Sequence, residues 1–143
     1  MKVEISNGKI AEIINFLYEL KLARKHSRMR RRFIGLLQER LQLVEEDRKE
    51  LLKEHSNKDE HGEAIINDGQ YDVKDMVAFS DDLKELYAEK MAIEGGDNRE
   101  MIKTIRQALK KFEDVEYEGK DSEIYDYLCD QFNVDQEDDK DEN

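Results

Sequence analysis

The chain has 143 residues, a formal net charge of −12, 42% charged residues and only 38% hydrophobic ones, with no Pro, no Trp and a single Cys. That length suits one domain with a core of its own. One Cys excludes an intrachain disulfide scaffold, and no apolar run approaches the length needed to span a bilayer. The start, "MKVEISNGKIAEIINF", has acids where a secretory signal would have its apolar stretch, so the expected setting is inside a cell.

With so little apolar material, the core must come from amphipathic segments, and the absence of Pro favours long uninterrupted helices. Residues 3–5 can open the chain in extended form. Ser6 or Asn7 then caps a helix in which Ile10, Ile13, Ile14, Leu17 and Leu20 recur at helical spacing. "ARKH" reads as a short link, with Ser27 capping a second helix that runs to about His55, interrupted only by Gly35. Its apolar residues fill nearly half the circumference, too wide for a two-stranded coiled-coil seam, which makes this the central helix.

Beyond it, "NDGQ" and the residues around it predict a β-hairpin over residues 64–73, because Asp-Gly supplies the positive φ values of a tight turn. Asp72 or Lys74 opens a third helix, with Met76, Val77, Phe79, Leu83, Leu86 and Tyr87 along one side, and "IEGGD" ends it. Asp97 with Glu100 has the spacing of a capping box for a fourth helix through Met101, Ile102, Ile105, Leu109 and Phe112. A fifth runs over residues 122–132, with Ile124, Tyr125, Leu128 and Phe132 inward. The predicted fold is mainly α: a compact bundle of about five helices with a long central helix and one small hairpin. It forms a single domain over residues 1–132, followed by a disordered acidic tail at 133–143, where "VDQEDDKDEN" holds six acids and one Lys.

Against this acidity, residues 21–32 carry seven Lys or Arg and no acid. Arg24, Lys25, Arg28, Arg31 and Arg32 gather at a helix N-terminus, where the dipole disfavours cations. Three explanations are open: a face that receives an anion or an acidic partner surface, an internal dock for the protein's own acids, and an ordinary solvated face. Duplex nucleic acid fits poorly, since the acidic remainder of the chain repels a long polyanion. A small nucleotide or an acidic protein patch touches only the basic end.

Arg40 falls inside the apolar arc of the second helix, with Asp47 near its direction two turns on. A partner helix from a second copy would satisfy both, which nominates Leu37, Arg40, Val44, Asp47 and Leu51 for self-association. Asn57, Asp59, His61 and Gly62, with Asp68, imitate part of a calcium loop but lack its opening Asp and closing Glu. His26, His55 and His61 have no zinc spacing, and Gly95-Gly96 lacks the setting of a phosphate loop. No metal site, no cofactor and no nucleophile–base set is predicted. The expectation is a protein that is not an enzyme.

The stretches "INFLYELKLARKHSRMRRRFIGLLQERL", "ELLKEH", "YDVKD", "IEGGDNREMIKTI" and "IYDYLCDQF" together resemble a small protein family of unknown function, encoded by tailed phages and prophages of Gram-positive bacteria. The resemblance covers the chain up to the acidic tail and brings no catalytic residues with it. It implies action in the host bacterial cytoplasm, or in a virion. In that setting the expected function is that of a self-associating helical binder that interferes with a host process such as antiphage defence, by binding an acidic protein surface or a nucleotide signal. A virion, tail-associated or assembly-chaperone component is the alternative, and an acidic mimic of nucleic acid the third reading.

Overall fold

A computed structural model of the chain describes residues 1–136. Five helices dominate it, in the order β1 (Lys2–Ser6), α1 (Ile10–Glu19), α2 (Arg24–His55), β2 (Ile66–Asn67), β3 (Gln70–Tyr71), α3 (Met76–Ala88), β4 (Lys90–Glu94), α4 (Asn98–Lys111) and α5 (Gly119–Gln131). The mainly α architecture, the long helix and the hairpin are as the periodicities predict. The hairpin turn places Asp68 at φ 52° and Gly69 at φ 79°, the pair of positive values that a two-residue loop between twisted strands requires.

A second ribbon is not foreseen by the sequence reading. In β1 the alternation of "KVEIS" buries Val3 and Ile5 and turns Lys2 outward. β1 pairs antiparallel with β4, Val3 opposite Ile93 and Ile5 opposite Met91, so the segment after α3 is a strand and not merely a helix stop. Gly95 (φ 63°) and Gly96 (φ 51°) turn the chain from β4 into α4 in a conformation costly for other residues.

The core lies where this ribbon, α1, the first half of α2, α4 and α5 meet. Phe33, Leu37, Ile13, Leu17, Met101 and Leu128 are all fully buried there, each worth about 1.5–3 kcal/mol of transfer free energy. Phe33 meets Phe132 edge to face, ring centres 5.5 Å apart. Tyr125 donates its hydroxyl hydrogen to the Leu109 carbonyl at 2.8 Å, closing the end of α4. Past Leu41, half-buried against this core, α2 leaves it and packs on α3, where Val44, Phe79 and Leu86 are buried.

Four local expectations are corrected. α2 begins at Arg24, not after a link at Ser27: Arg24 takes φ 53° and the Ser27 amide already reaches the Ala23 carbonyl. α3 is capped by Asp75, whose carboxylate accepts from the Val77 and Ala78 amides at 3.0 and 3.1 Å. Met76 and Val77 therefore sit in an exposed first turn, 59% and 72% accessible, instead of on the inward side. The capping box at α4 does not form, since Asp97 makes no side-chain cap bond and Glu100 is drawn away to Lys25.

The fourth correction concerns the domain boundary. Asn133 adopts φ 51°, its amide bonds to the Asp130 carbonyl, and the Val134 amide returns to that of Cys129 at 3.0 Å. This is a Schellman stop, with Asn in the left-handed position and an apolar residue after it. Val134 is only 3% exposed, and buried Arg106 donates to the Asn133 carbonyl through Nε (3.1 Å) and Nη2 (2.8 Å). Packed structure thus continues to Gln136, and the rest of the predicted tail lies outside the described residues.

Candidate interaction face on the central helix

The seven bases of residues 21–32 divide by direction. Arg30 turns inward, donating from Nη1 to the carbonyls of Leu17, at 3.0 Å, and Leu20, so one cation of the run is a C-terminal cap for α1. Lys25 pairs with Glu100, and this ammonium, by hydrogen bond first and by charge second, holds the Glu100 carboxyl below its ordinary range. Lys21, Arg24, Arg28, Arg31 and Arg32 are exposed and make no ion pair or hydrogen bond with another described residue. The helix start beneath them has no side-chain cap and no acid in its first turn. Dipole and guanidiniums therefore add to one positive potential.

Beside this end of α2, a cleft of about 840 Å³ opens toward the start of α4, lined by Arg32, Leu36, Gly96, Asp97, Asn98, Arg99 and Glu100. Two cations border it, but so do two carboxylates. The first amides of α4 are already committed, Asn98 to the Gly95 carbonyl and Arg99 to that of Gly96. A phosphate entering the cleft would find repulsion and spent donors, whereas the outer guanidiniums remain free.

The residues nominated for self-association do not form a surface. Leu37 and Val44 are 0% and 2% exposed, covered by the chain's own helices. Arg40 is answered internally: its Nε donates to Asn7 Oδ1 at 2.8 Å, and Asn7 Nδ2 donates to the Leu86 carbonyl at 2.9 Å. The wide apolar arc of α2 is thus divided among α1, α3 and α4. Only Asp47, exposed, and Leu51, half-buried, remain reachable.

Those two line a feature missed by the sequence reading, a cleft of about 390 Å³ between α2 and α3 where Asp47, Glu50 and Glu54 face Asp82, Glu85 and Glu89 across Leu51 and Leu86. The signal was present: acids recur at three- or four-residue steps on both helices, which puts each trio on one face. Among the described residues no group of three or more His, Cys, Asp or Glu could hold a metal ion. In the calcium-like loop, Asp59 Oδ1 accepts from the amides of His61 and Glu63 at 2.8 and 3.0 Å, so this carboxylate serves its own turn. Burial pushes the Cys129 thiol up, away from the thiolate a nucleophile needs. No described helix is long and apolar enough to cross a membrane. Compared with known proteins, the chain matches no family model, no curated protein and no solved structure.

Proposed function

We propose that this chain is a non-enzymatic phage accessory protein, a self-associating helical binder that interferes with a host process such as antiphage defence by docking an acidic protein surface. The observation that carries this reading is the set of four guanidiniums, Arg24, Arg28, Arg31 and Arg32, that lack an ion pair or hydrogen bond among the described residues and lie over the uncapped start of α2. Like charges concentrated at the positive end of a dipole destabilise the free protein, and a carboxylate-rich partner relieves that. An acidic protein surface fits better than a nucleotide, because the adjoining cleft is bordered by Asp97 and Glu100 while the outer face is open.

The test reverses two guanidiniums of the outer face. Arg24→Glu with Arg31→Glu should abolish recovery of an acidic partner in affinity capture from infected bacteria. The melting temperature should hold or rise, since each removed like charge is worth about 0.3–1 kcal/mol at a helix N-terminus. Recovery of the same partners by variant and wild type would overturn the reading.

A further inference from the structure

Along α2, on the side where both clefts open, the exposed residues form a strip whose charge changes sign from one end to the other. Lys25, Arg32, Leu36, Leu43, Asp47 and Glu54 fall within about 60° of one another on a helix of 3.6 residues per turn. All are exposed except Leu36, half-buried on a cleft wall. Leu43 is 54% accessible, a large apolar side chain with nothing over it. Six of its positions are a palindrome in charge, whereas Glu50, in the same arc, has the buried Met29 as its mirror. About the midpoint between Glu39 and Arg40, Lys25 is the mirror position of Glu54, Arg32 of Asp47, and Leu36 of Leu43.

We infer that the strip is the contact by which two copies pair, with their α2 helices antiparallel about a two-fold axis near Glu39. The inference rests on the self-association in the function proposed above, and it keeps Asp47 of the nominated contacts while replacing the others with residues outside the buried core. Turned end for end, a second copy sets Arg32 against Asp47 twice over and brings Glu54 twice to Lys25, which within each chain is paired with Glu100. The four leucines meet between these charged ends, so the arrangement is isologous and closes. The acidic cleft extends the match at one end, with Asp82, Glu85 and Glu89 flanking Asp47, while at the other Arg99 is offset by Asp97 and Glu100. A parallel pairing would oppose base to base and acid to acid, so the charge order selects one orientation. Glu39 meets its own copy near the axis, but at the edge of the strip and in water, where the repulsion is small. A strip about 44 Å long and 10 Å wide on each copy buries on the order of 900 Å² in all, a small interface. The dimer is accordingly of micromolar strength and sensitive to salt.

Arg24 and Arg31 lie about a quarter turn or more from the strip and stay outside the pair. Arg32, one of the four outer guanidiniums, serves the pair, so R24E/R31E tests docking without touching the dimer contact. Sedimentation equilibrium of the full chain at tens of micromolar should show a dimer at low salt. Arg32→Asp and Asp47→Arg should each raise the dissociation constant about tenfold or more, by placing like charges opposite one another. The double variant R32D/D47R restores opposite charges and should return to within about threefold of wild type. Far-UV circular dichroism should be unchanged in all three, since both positions are exposed. A monomeric wild type, single variants that associate like wild type, or a double variant as weak as the singles would each overturn the pairing. R24E/R31E should remain dimeric, so loss of the target in that variant leaves the dimer standing, and failure of the charge swap leaves the target reading standing.

Discussion

Asn7 is where the N-terminal ribbon, the central helix and the end of α3 are joined, and replacing it with Ala removes both side-chain bonds at once. Its side chain lies in a residue only 3% exposed, with Oδ1 accepting from Arg40 and Nδ2 donating to Leu86. A hydrogen bond to a charged donor is worth about 1.5 kcal/mol or more and a neutral one about 1 kcal/mol. Asn7→Ala should therefore cost about 2–3 kcal/mol, or about 7–10 °C in melting temperature for a chain of this size. Arg40→Ala breaks only the shared bond but strands the buried Oδ1, at a cost of about 1–2 kcal/mol. In the double variant that bond is counted once, so a double-mutant cycle followed by thermal or urea unfolding should give a coupling of about 1–1.5 kcal/mol. Additive effects would refute the reasoning. So would an Arg40→Ala effect that grows with protein concentration, which would return Arg40 to an interface between copies.

Ending the chain after Phe132 removes buried Val134 and the Asn133 carbonyl held by Arg106; a loss of about 3 kcal/mol or more is expected on thermal unfolding. Carbon-detected NMR titration should place the Glu100 carboxyl below the ordinary range, and Lys25→Ala should return it there. Because the folded value is the depressed one, the stability this pair contributes is present above the unfolded value and is lost as pH falls through the folded one. Thr104 Oγ1 is buried without a hydrogen-bond partner, so Thr104→Val, which keeps the shape and drops the unsatisfied hydroxyl, should raise the melting temperature slightly.

What the sequence revealed and what it hid follow from the range of the interactions involved. α1, α2, α4 and α5 are written in local periodicity, and the hairpin in two adjacent residues with positive φ. β4 was missed because "KMAIE" alternates weakly and owes its extended state to β1, far away in the chain. The end of the domain was readable, since Asn133 followed by Val134 is a helix-stop pattern, but the acids behind it made the whole segment look like a tail. For the candidate site, direction was the missing information. A helical wheel shows that α2 has apolar residues over a wide arc, yet cannot tell whether the chain itself or a second copy covers them. Arg40 looked unsatisfied for the same reason, its partner Asn7 lying on another element. The basic run was visible as composition, whereas the removal of Arg30 to cap α1 and of Lys25 to hold Glu100 depends on where α1 and α4 pack.

The pairing of β1 with β4 also governs how the protein can be made. β1 has its hydrogen-bonding partner at residues 90–94, and the Ser6 amide donates to the Tyr127 hydroxyl oxygen, 121 residues away, at 2.9 Å. Individual helices can flicker into existence during synthesis, but the loop closures that fix β1 must wait for β4 and then for α5 to be made. A nascent chain stalled before α5 therefore carries β1 paired with β4 but without its Tyr127 tether.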